Sequence, residues 1–397
     1  MIYRALTAVA GAALRGAVPL AGEALAERLA LDDVPAVRGG IWVHGASVGE
    51  LNSARAVIAE LAARRPVLVT ANTVTGREVA RGWGLPARLA PLDVPQAVGR
   101  FLDAVQPALA VTIENEIWPN RAAALRARGV QQAVIGARMS ARSAQGWGRA
   151  RGLIGPVLGG IGLLSAQDEA TEARLIALGL PSRALAPRVN LKLMGPAAIR
   201  PPEDGGGRDR VWLAASTHPG EDEIVLAAHG AVRARLPDAR LILAPRHPRR
   251  TDAVARLIAA AGFPAERLGA REVGAAGAPP VLLIDRLGAM QGAYAAAGVC
   301  LTGGSLADHG GHTPWEPAAY RCALLHGPHV ANFAADYAAL DAAGAAQGVT
   351  AASLGGTVTA LLSDPAARAA MGQAARGLLG ASAPDPRALA GQIIGLV

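Results

Sequence analysis

Short apolar runs recur along the chain with the spacing of an alternating strand–helix protein. Residues 41–44, 66–70, 108–113 and 132–135 are rich in Val, Ile, Leu and Ala and predict buried strands. Ala-rich, amphipathic stretches such as 51–64 separate them and predict helices. The strands are almost continuously apolar, without strict alternation, which implies a parallel sheet covered by helices on both faces. The rhythm breaks between Gly195 and Arg210, where Gly195, Pro196, Pro201, Pro202, Gly205, Gly206 and Gly207 crowd together. It restarts with apolar runs at 211–214, 241–244, 281–284 and 299–302. The expectation is two similar α/β halves, 31–200 and 201–397, with a cleft between them. In open parallel sheets ligands bind beyond the carboxyl ends of the strands.

Residues 1–30 form a further segment with a helical pattern. Arg4 and Arg15 bracket an apolar run from Ala5 to Leu14. On a helix, Leu6, Val9, Ala13 and Ala17 share one stripe, and the two arginines fall on roughly the opposite side. No segment reaches the roughly 20 apolar residues that a bilayer span needs. The pattern suits a helix lying in a membrane interface or docking on another protein surface. A signal peptide is the competing reading. Against it, the pattern runs on into Glu23, Glu27 and Arg28 without a clean hydrophobic block.

Composition narrows the classes. Hydrophobic residues reach 51% and charged ones only 18% of the 397, which fits a well-buried fold and argues against disorder. A net charge of +8 favours anionic partners such as phospholipid headgroups, phosphorylated substrates or nucleic acid. A solvated Arg-rich surface accounts for the same charge. Aromatics are 3% and no basic run is interleaved with them, so a stacking platform for nucleic acid is not expected. Lys192 is the only lysine; where Arg fills every other cationic position, a compact ammonium point charge has a use of its own. Cys300 and Cys322 show neither a disulfide framework nor metal-ligand spacing, which favours a reducing, cytoplasmic compartment.

The unusual residues fall after the predicted strands. Ser47 and Glu50 follow the first strand with the S-x-x-E spacing of a capping box, which alone would explain the acid. The same geometry also holds a carboxylate at a helix start in a glycine-rich loop, where it can accept a proton from a hydroxyl. Glu114 and Glu116 follow run 108–113; acids at a helix start suit the macrodipole, but two close together also shift one another's pKa. In the second half Ser216, Thr217, His218 and Glu221 read as a helix start with Pro219 in its first turn. Pro245, Arg246 and His247 place a guanidinium at a strand end, suited to phosphate. Gly303, Gly304 and Ser305 open a loop that runs through His309 and His312 to Trp315 and Glu316, and such a loop is a ready anion site. His309 and His312 lack apparent partner ligands, so no metal site is expected. The chain has neither a dinucleotide-binding GxGxxG after its first strand nor a Walker motif.

Together these motifs resemble the Kdo transferases, which move 3-deoxy-D-manno-octulosonic acid (Kdo) from CMP-Kdo onto the lipid A precursor. The resemblance covers most of the chain. It is carried by Trp42-Val43-His44 with Ser47-Val48-Gly49-Glu50, Thr75-Gly76, Pro91-Leu92-Asp93 and Arg100-Phe101-Leu102. It continues with Glu114-x-Glu116-x-Trp118-Pro119-Asn120, Ala137-Arg138-Met139-Ser140-x-Arg142-Ser143 and Asn190-Leu191-Lys192. In the second half it rests on Ser216 to Glu221, Pro245-Arg246-His247-Pro248, and Gly303-Gly304-Ser305 through Gly311-His312. The resemblance implies a GT-B fold of two Rossmann-like domains facing across a cleft, acting as an inverting glycosyltransferase with no metal and no cofactor. It places the proton acceptor at Glu50 and a supporting acid and lysine at Glu116 and Lys192. It places substrate contacts at Ser47, Arg138, Ser216, Thr217, His218, Pro245, Arg246, His247 and Gly303 to Ser305. Further contacts fall at Leu287, Gly288, Ala289, Thr313, Pro314, Trp315 and Glu316. Implied partners are CMP-Kdo, the lipid IVA acceptor and an anionic membrane surface, with no nucleic acid. The implied location is the cytoplasmic face of the bacterial inner membrane, peripheral or N-terminally anchored. The chain departs from the family's usual residues at Gly136 and Thr313, normally Asn, and at Ala289, near which an acidic residue is frequent.

Two alternatives stay open on sequence. Another nucleotide sugar would be the donor if the glycine loop carried more positive charge. A non-catalytic lipid A or nucleic-acid binder would have no need of a carboxylate at Glu50.

Overall fold

The computed structural model describes residues 2–114, 116–203, 206–273 and 279–397. The chain forms two units: one comprises Met1–Gly195 together with Ala383–Val397, the other Pro196–Ser382. In the first, β1 (Ile41–His44), β2 (Val67–Ala71), β3 (Ala87–Leu89), β4 (Leu109–Ile113), β5 (Gln131–Ala137) and β6 (Leu163–Ala166) pair in parallel in the order β3-β2-β1-β4-β5-β6. β1 is buried at every position, as its unbroken apolar run requires of a strand covered on both faces. Register sets His44 beside Thr70 of β2 and Thr112 of β4.

The helix Val48–Ala62 starts on a Ser47 cap and buries Leu51, Ala54, Val57, Ile58 and Leu61 against this sheet. The helix Pro386–Ile394 returns to the same core through Leu389, Ala390 and Ile393. This corrects the expectation that 201–397 forms one body. The apolar face of that helix is evident in the sequence, but its pattern does not say which sheet it covers. Gly205, part of the expected linker, lies outside the described residues.

The N-terminal segment is two helices, Ile2–Ala21 and Glu23–Arg28, and both belong to the first unit. The longer one docks through Leu14 and Val18 near Leu29, Val94 and Ala97, and Tyr3 Oη donates to Asp93 Oδ2 at 2.9 Å. Its outward side stays apolar, with Ile2 78%, Leu6 66%, Val9 71% and Leu20 93% exposed. Among the described residues no helix is long and apolar enough to cross a membrane.

The second unit repeats the plan. β7 (Val211–Thr217), β8 (Arg240–Pro245), β9 (Ala265–Arg267), β10 (Val281–Leu283), β11 (Val299–Thr302), β12 (Ala323–His326) and β13 (Ala346–Gly348) run parallel in the order β13-β12-β11-β7-β8-β10-β9. Helix Glu221–Arg235 buries Val225, Leu226 and Val232 in a core with Leu241, Val281 and Leu301. Cys300 and Cys322 are buried free thiols in this unit.

Candidate functional site

Each sheet winds outward in both directions from its first strand. In the first unit β2 and β3 lie on one side of β1 and β4 to β6 on the other; in the second, β8, β10 and β9 lie on one side of β7 and β11 to β13 on the other. At such a reversal the loops leaving the two central strands diverge, and a crevice opens beyond their carboxyl ends. Glu50 follows β1 and Glu114 and Glu116 follow β4. His218 follows β7 and Gly303 to Ser305 follow β11. Both sets of sequence-derived candidates therefore sit at a reversal point of their own sheet.

Glu50 is half-buried in the first turn of its helix. Its Oε2 accepts the Ala46 N–H at 2.7 Å, and its Oε1 lies 3.3 Å from the Ser47 hydroxyl, whose oxygen in turn accepts the Glu50 N–H at 3.3 Å. The capping box is thus present. Yet the carboxyl's pKa is raised: burial drives it up, and the charges of Glu114 and Glu116 add to that against the lowering by the Ala46 amide. A carboxylate with increased proton affinity at a strand end is what a general base requires.

Glu116 is held quite differently. Its Oε2 accepts N–H bonds from His44 Nε2 at 3.3 Å, from Asn72 Nδ2 at 3.3 Å and from the Trp118 indole. Burial would raise its pKa, but these donors outweigh burial and hold it below the usual carboxylate range. Buried His44 is itself pushed down by desolvation, so the ring is neutral at pH 7. Because a carboxylate only accepts, neutral His44 carries its proton on Nε2, and Nδ1 accepts from Thr70 Oγ1 at 2.9 Å. Trp42 Nε1 donates to the same Thr70 oxygen at 2.8 Å. Asp93 and Asn120, quoted among the motifs, are structural: Asp93 accepts the N–H groups of Asn120 and Arg121 at 3.1 and 2.8 Å, satisfying the start of helix Pro119–Ala127. Glu114 has φ +57, the left-handed region, immediately beyond β4. Asn115 lies outside the described residues.

Lys192 is exposed on a 3-10 turn, Leu191–Leu193, whose two leucines are buried and whose N-terminal Asn190 accepts the Lys192 N–H at 3.2 Å. Gly136 is explained by this turn: at φ +63, a Cβ there would stand 2.7 Å from Leu191 Cδ1. Arg138 is exposed and Ser47 half-buried.

In the second unit the glycine loop does hold an anion, but it is the chain's own. Buried Glu221 accepts the N–H groups of Gly304 at 2.7 Å, Ser305 at 3.0 Å, Leu306 at 2.8 Å, Ala307 at 3.2 Å and His218 at 2.9 Å. The loop amides expected to form an anion site are thus met by a carboxylate of the same chain. The loop approaches β7 so closely that a Cβ at Gly303 would lie 2.5 Å from Ser216 O, and Ser216 sits at φ +59. The groups left around the loop are basic. His218 Nε2 and His312 Nε2 are 2.9 Å apart, His309 stacks on His218 with ring centres 4.1 Å apart, and His247 lies at 6.4 Å. Burial and then the neighbouring imidazoles and arginines lower His218, and push His312 down to about 4. A bound anion would act against both shifts.

Thr217 is occupied structurally, donating to Asp222 Oδ1 at 2.6 Å while Arg250 bridges Asp222 and the Thr217 carbonyl. Arg246 and His247 are exposed after half-buried Pro245; Leu287 and Gly288 are exposed and Ala289 is buried. Thr313 Oγ1 accepts the Trp315 N–H at 3.3 Å beside buried Pro314. Buried Trp315 donates to Asp336 at 3.1 Å, and Glu316 accepts from Tyr294 Oη at 3.3 Å. Sequence reasoning assigned no role to His44, Asn72, Asp222 or Arg250. His44 was visible in a motif, but only strand register shows its link to Thr70.

Two parallel-sheet α/β units of this kind define the GT-B fold. A glycosyltransferase structure from Rickettsia africae matches 90% of this chain and 99% of its own at TM-score 0.58, with 11% identity, and so speaks for the fold alone. A family model described as 3-deoxy-D-manno-octulosonic-acid transferase (kdotransferase) matches residues 23–194. The 3-deoxy-D-manno-octulosonic acid transferase of Haemophilus influenzae is 35% identical over 74% of this chain and 72% of its own length. That of Bordetella pertussis is 36% identical over 87% and 85%. The chain belongs to the 3-deoxy-D-manno-octulosonic acid transferase family and is a glycosyltransferase.

Proposed function

We propose that this chain transfers Kdo from CMP-Kdo to the lipid A precursor lipid IVA, inverting the anomeric carbon without a metal. The reading rests on Glu50: a half-buried carboxylate with raised proton affinity at the reversal point of the first sheet. Glu50 takes the proton of an acceptor hydroxyl, whose oxygen bonds to the anomeric carbon as the bond to the phosphate oxygen breaks and CMP leaves. Ionised Glu116 supports the base by disfavouring a second negative charge nearby. Lys192, Arg246 and the imidazoles of His218, His247 and His312 suit the phosphate and carboxylate of the donor and the charge developing on the leaving group. The segment Leu287 to Ala289 and the turn Thr313 to Glu316 are assigned to the nucleotide, and Ser47 and Arg138 to the first unit's substrate contacts. Ser216 and Gly303 to Ser305 shape the donor loop, Glu221 serving as its internal strut.

The exposed Ile2, Leu6, Val9 and Leu20, with Arg4 and Arg15 on the same helix, support peripheral attachment to an anionic membrane, with the cytoplasmic inner-membrane face as the assigned site. The test is turnover of CMP-Kdo with lipid IVA by wild type and Glu50→Gln. Glutamine can still serve a capping box, so the melting temperature should hold while turnover falls roughly 10²–10⁴-fold. Undiminished turnover in Glu50→Gln would remove the base, and no transfer by wild type would remove the reading.

A further inference from the structure

All three donors to Glu116 converge on one oxygen, Oε2. Among the described residues Oε1 has no hydrogen-bond partner. A carboxylate pinned through one oxygen has the other in a fixed place with its lone pairs available. Glu116 also lines a dent of about 160 Å³ whose other walls are Ile117, Trp118, Met139, Ser143 and Trp147. This is smaller than the roughly 300–1,000 Å³ of pockets for drug-sized ligands, which scales it to a single ring. Its chemistry is divided. Two indoles, a thioether and an Ile side chain offer apolar and π surface, while a carboxylate oxygen and the Ser143 hydroxyl are the polar points.

A pyranose has the complementary division: C–H faces with slight positive charge, which the negative face of an indole attracts, and a rim of O–H and N–H donors for a carboxylate. A phosphate or a second carboxylate is disfavoured beside ionised Glu116. We propose that this dent is a subsite for one hexosamine ring of the acceptor, with Trp147 as its aromatic wall and Glu116 Oε1 accepting a ring hydroxyl or amino proton. The inference deepens the transfer reading and rests on it for the acceptor's identity. Trp147 also packs on the core beside Ile154 and Leu158, which explains why the ring is held but not why a hollow remains in front of it.

The probe is an acyl-free lipid A headgroup, a phosphorylated glucosamine disaccharide, used with the full chain. Saturation-transfer NMR without donor should show enhancement on the sugar ring protons with wild type and lose it with Trp147→Ala. In turnover assays Trp147→Ala should raise the acceptor KM about tenfold and leave the donor KM in place, with Trp147→Phe restoring most of it. If Trp147→Ala loses its cooperative melt, Trp147→Leu, which keeps an apolar side chain but no ring, is read instead. No enhancement with wild type, or an unchanged acceptor KM in a folded ring-less variant, overturns the subsite. Trp147-dependent binding of the headgroup without any Kdo transfer would keep the subsite and reject the transfer reading.

Discussion

Glu50 and Glu221 occupy the same place in their respective units: each stands in the first helical turn after the first strand of its sheet, and each reaches back to a backbone amide just before it. The bond is Ala46 N–H to Glu50 at 2.7 Å in one and His218 N–H to Glu221 at 2.9 Å in the other. There the likeness ends. Glu221 accepts five backbone N–H groups and is buried, which leaves its carboxylate no part in chemistry. Glu50 has one amide and one distant hydroxyl, keeps contact with solvent and faces two other acids. A fold can thus use one local device, a glutamate at a helix start, as a strut, as in Glu221, or in the role of base proposed for Glu50. What decides is how many donors converge on it and whether its neighbours are amides or like charges.

The sharpest way to break that comparison is to remove the strut. Glu221→Ala leaves the amides of 304–307 without their buried acceptor. Unmet buried donors cost about 1–3 kcal/mol each, and water admitted to the site recovers part of that, so a loss of roughly 3 kcal/mol or more is expected. Chemical denaturation of the full chain measures it, with the transition that belongs to residues 196–382 moving and the other holding. Glu50→Gln should leave both transitions in place. A stability loss in Glu50→Gln equal to that in Glu221→Ala would erase the distinction between the two acids.

The charge contrast makes a second, smaller prediction about pH. In the second unit burial pushes His229 and His312 down to about 4 and also lowers His218. Each stays neutral in the folded unit at pH values where the unfolded chain, with an imidazole near 6.5, binds a proton. Stability is therefore full above pH 6.5 and is lost as pH falls toward 4. His44 in the first unit is pushed down to about 4 as well, even with Glu116 beside it, so the first unit carries one such imidazole against three in the second. Hydrogen exchange at pH 7 and pH 5, corrected for the intrinsic rate, should show the core amides of the second unit opening more than about tenfold more readily at pH 5, and by a larger factor than those of the first unit. Equal sensitivity in both units would contradict the assignment.

How much of this was legible before the structure varies by element. The apolar runs at 41–44, 211–214 and 299–302 name strands because their residues are buried on both faces and bounded by glycine or polar positions. β3, β9 and β13 are as short as β10 but, unlike its Val-Leu-Leu, carry charged or polar residues and show no apolar run; β3 has buried Arg88 at its centre. In the site, the acids were visible as residues out of place at strand ends. The anion of the glycine loop was not, because the partner of its amides lies more than 80 residues away in sequence and meets them only through the β7–β11 pairing.

The smallest effect asks whether Glu50 is a cap that happens to be acidic or a base that happens to cap. In Ser47→Ala the helix loses the hydroxyl that accepts the Glu50 N–H, a bond long enough at 3.3 Å to place the cost at the low end of the range for caps, about 0.5–1 kcal/mol. The same hydroxyl stabilises the ionised carboxylate and lowers its pKa. Without it the proton affinity of Glu50, already raised by burial, rises further. A base must be deprotonated to act, so the acidic limb of the pH–rate profile should move to higher pH, while loss of the substrate contact assigned to Ser47 lowers the plateau without moving the limb. A cap with no part in the chemistry would give the same small loss of stability and leave the limb where it was. The displacement of that limb, rather than the size of the stability change, separates the two roles of Glu50.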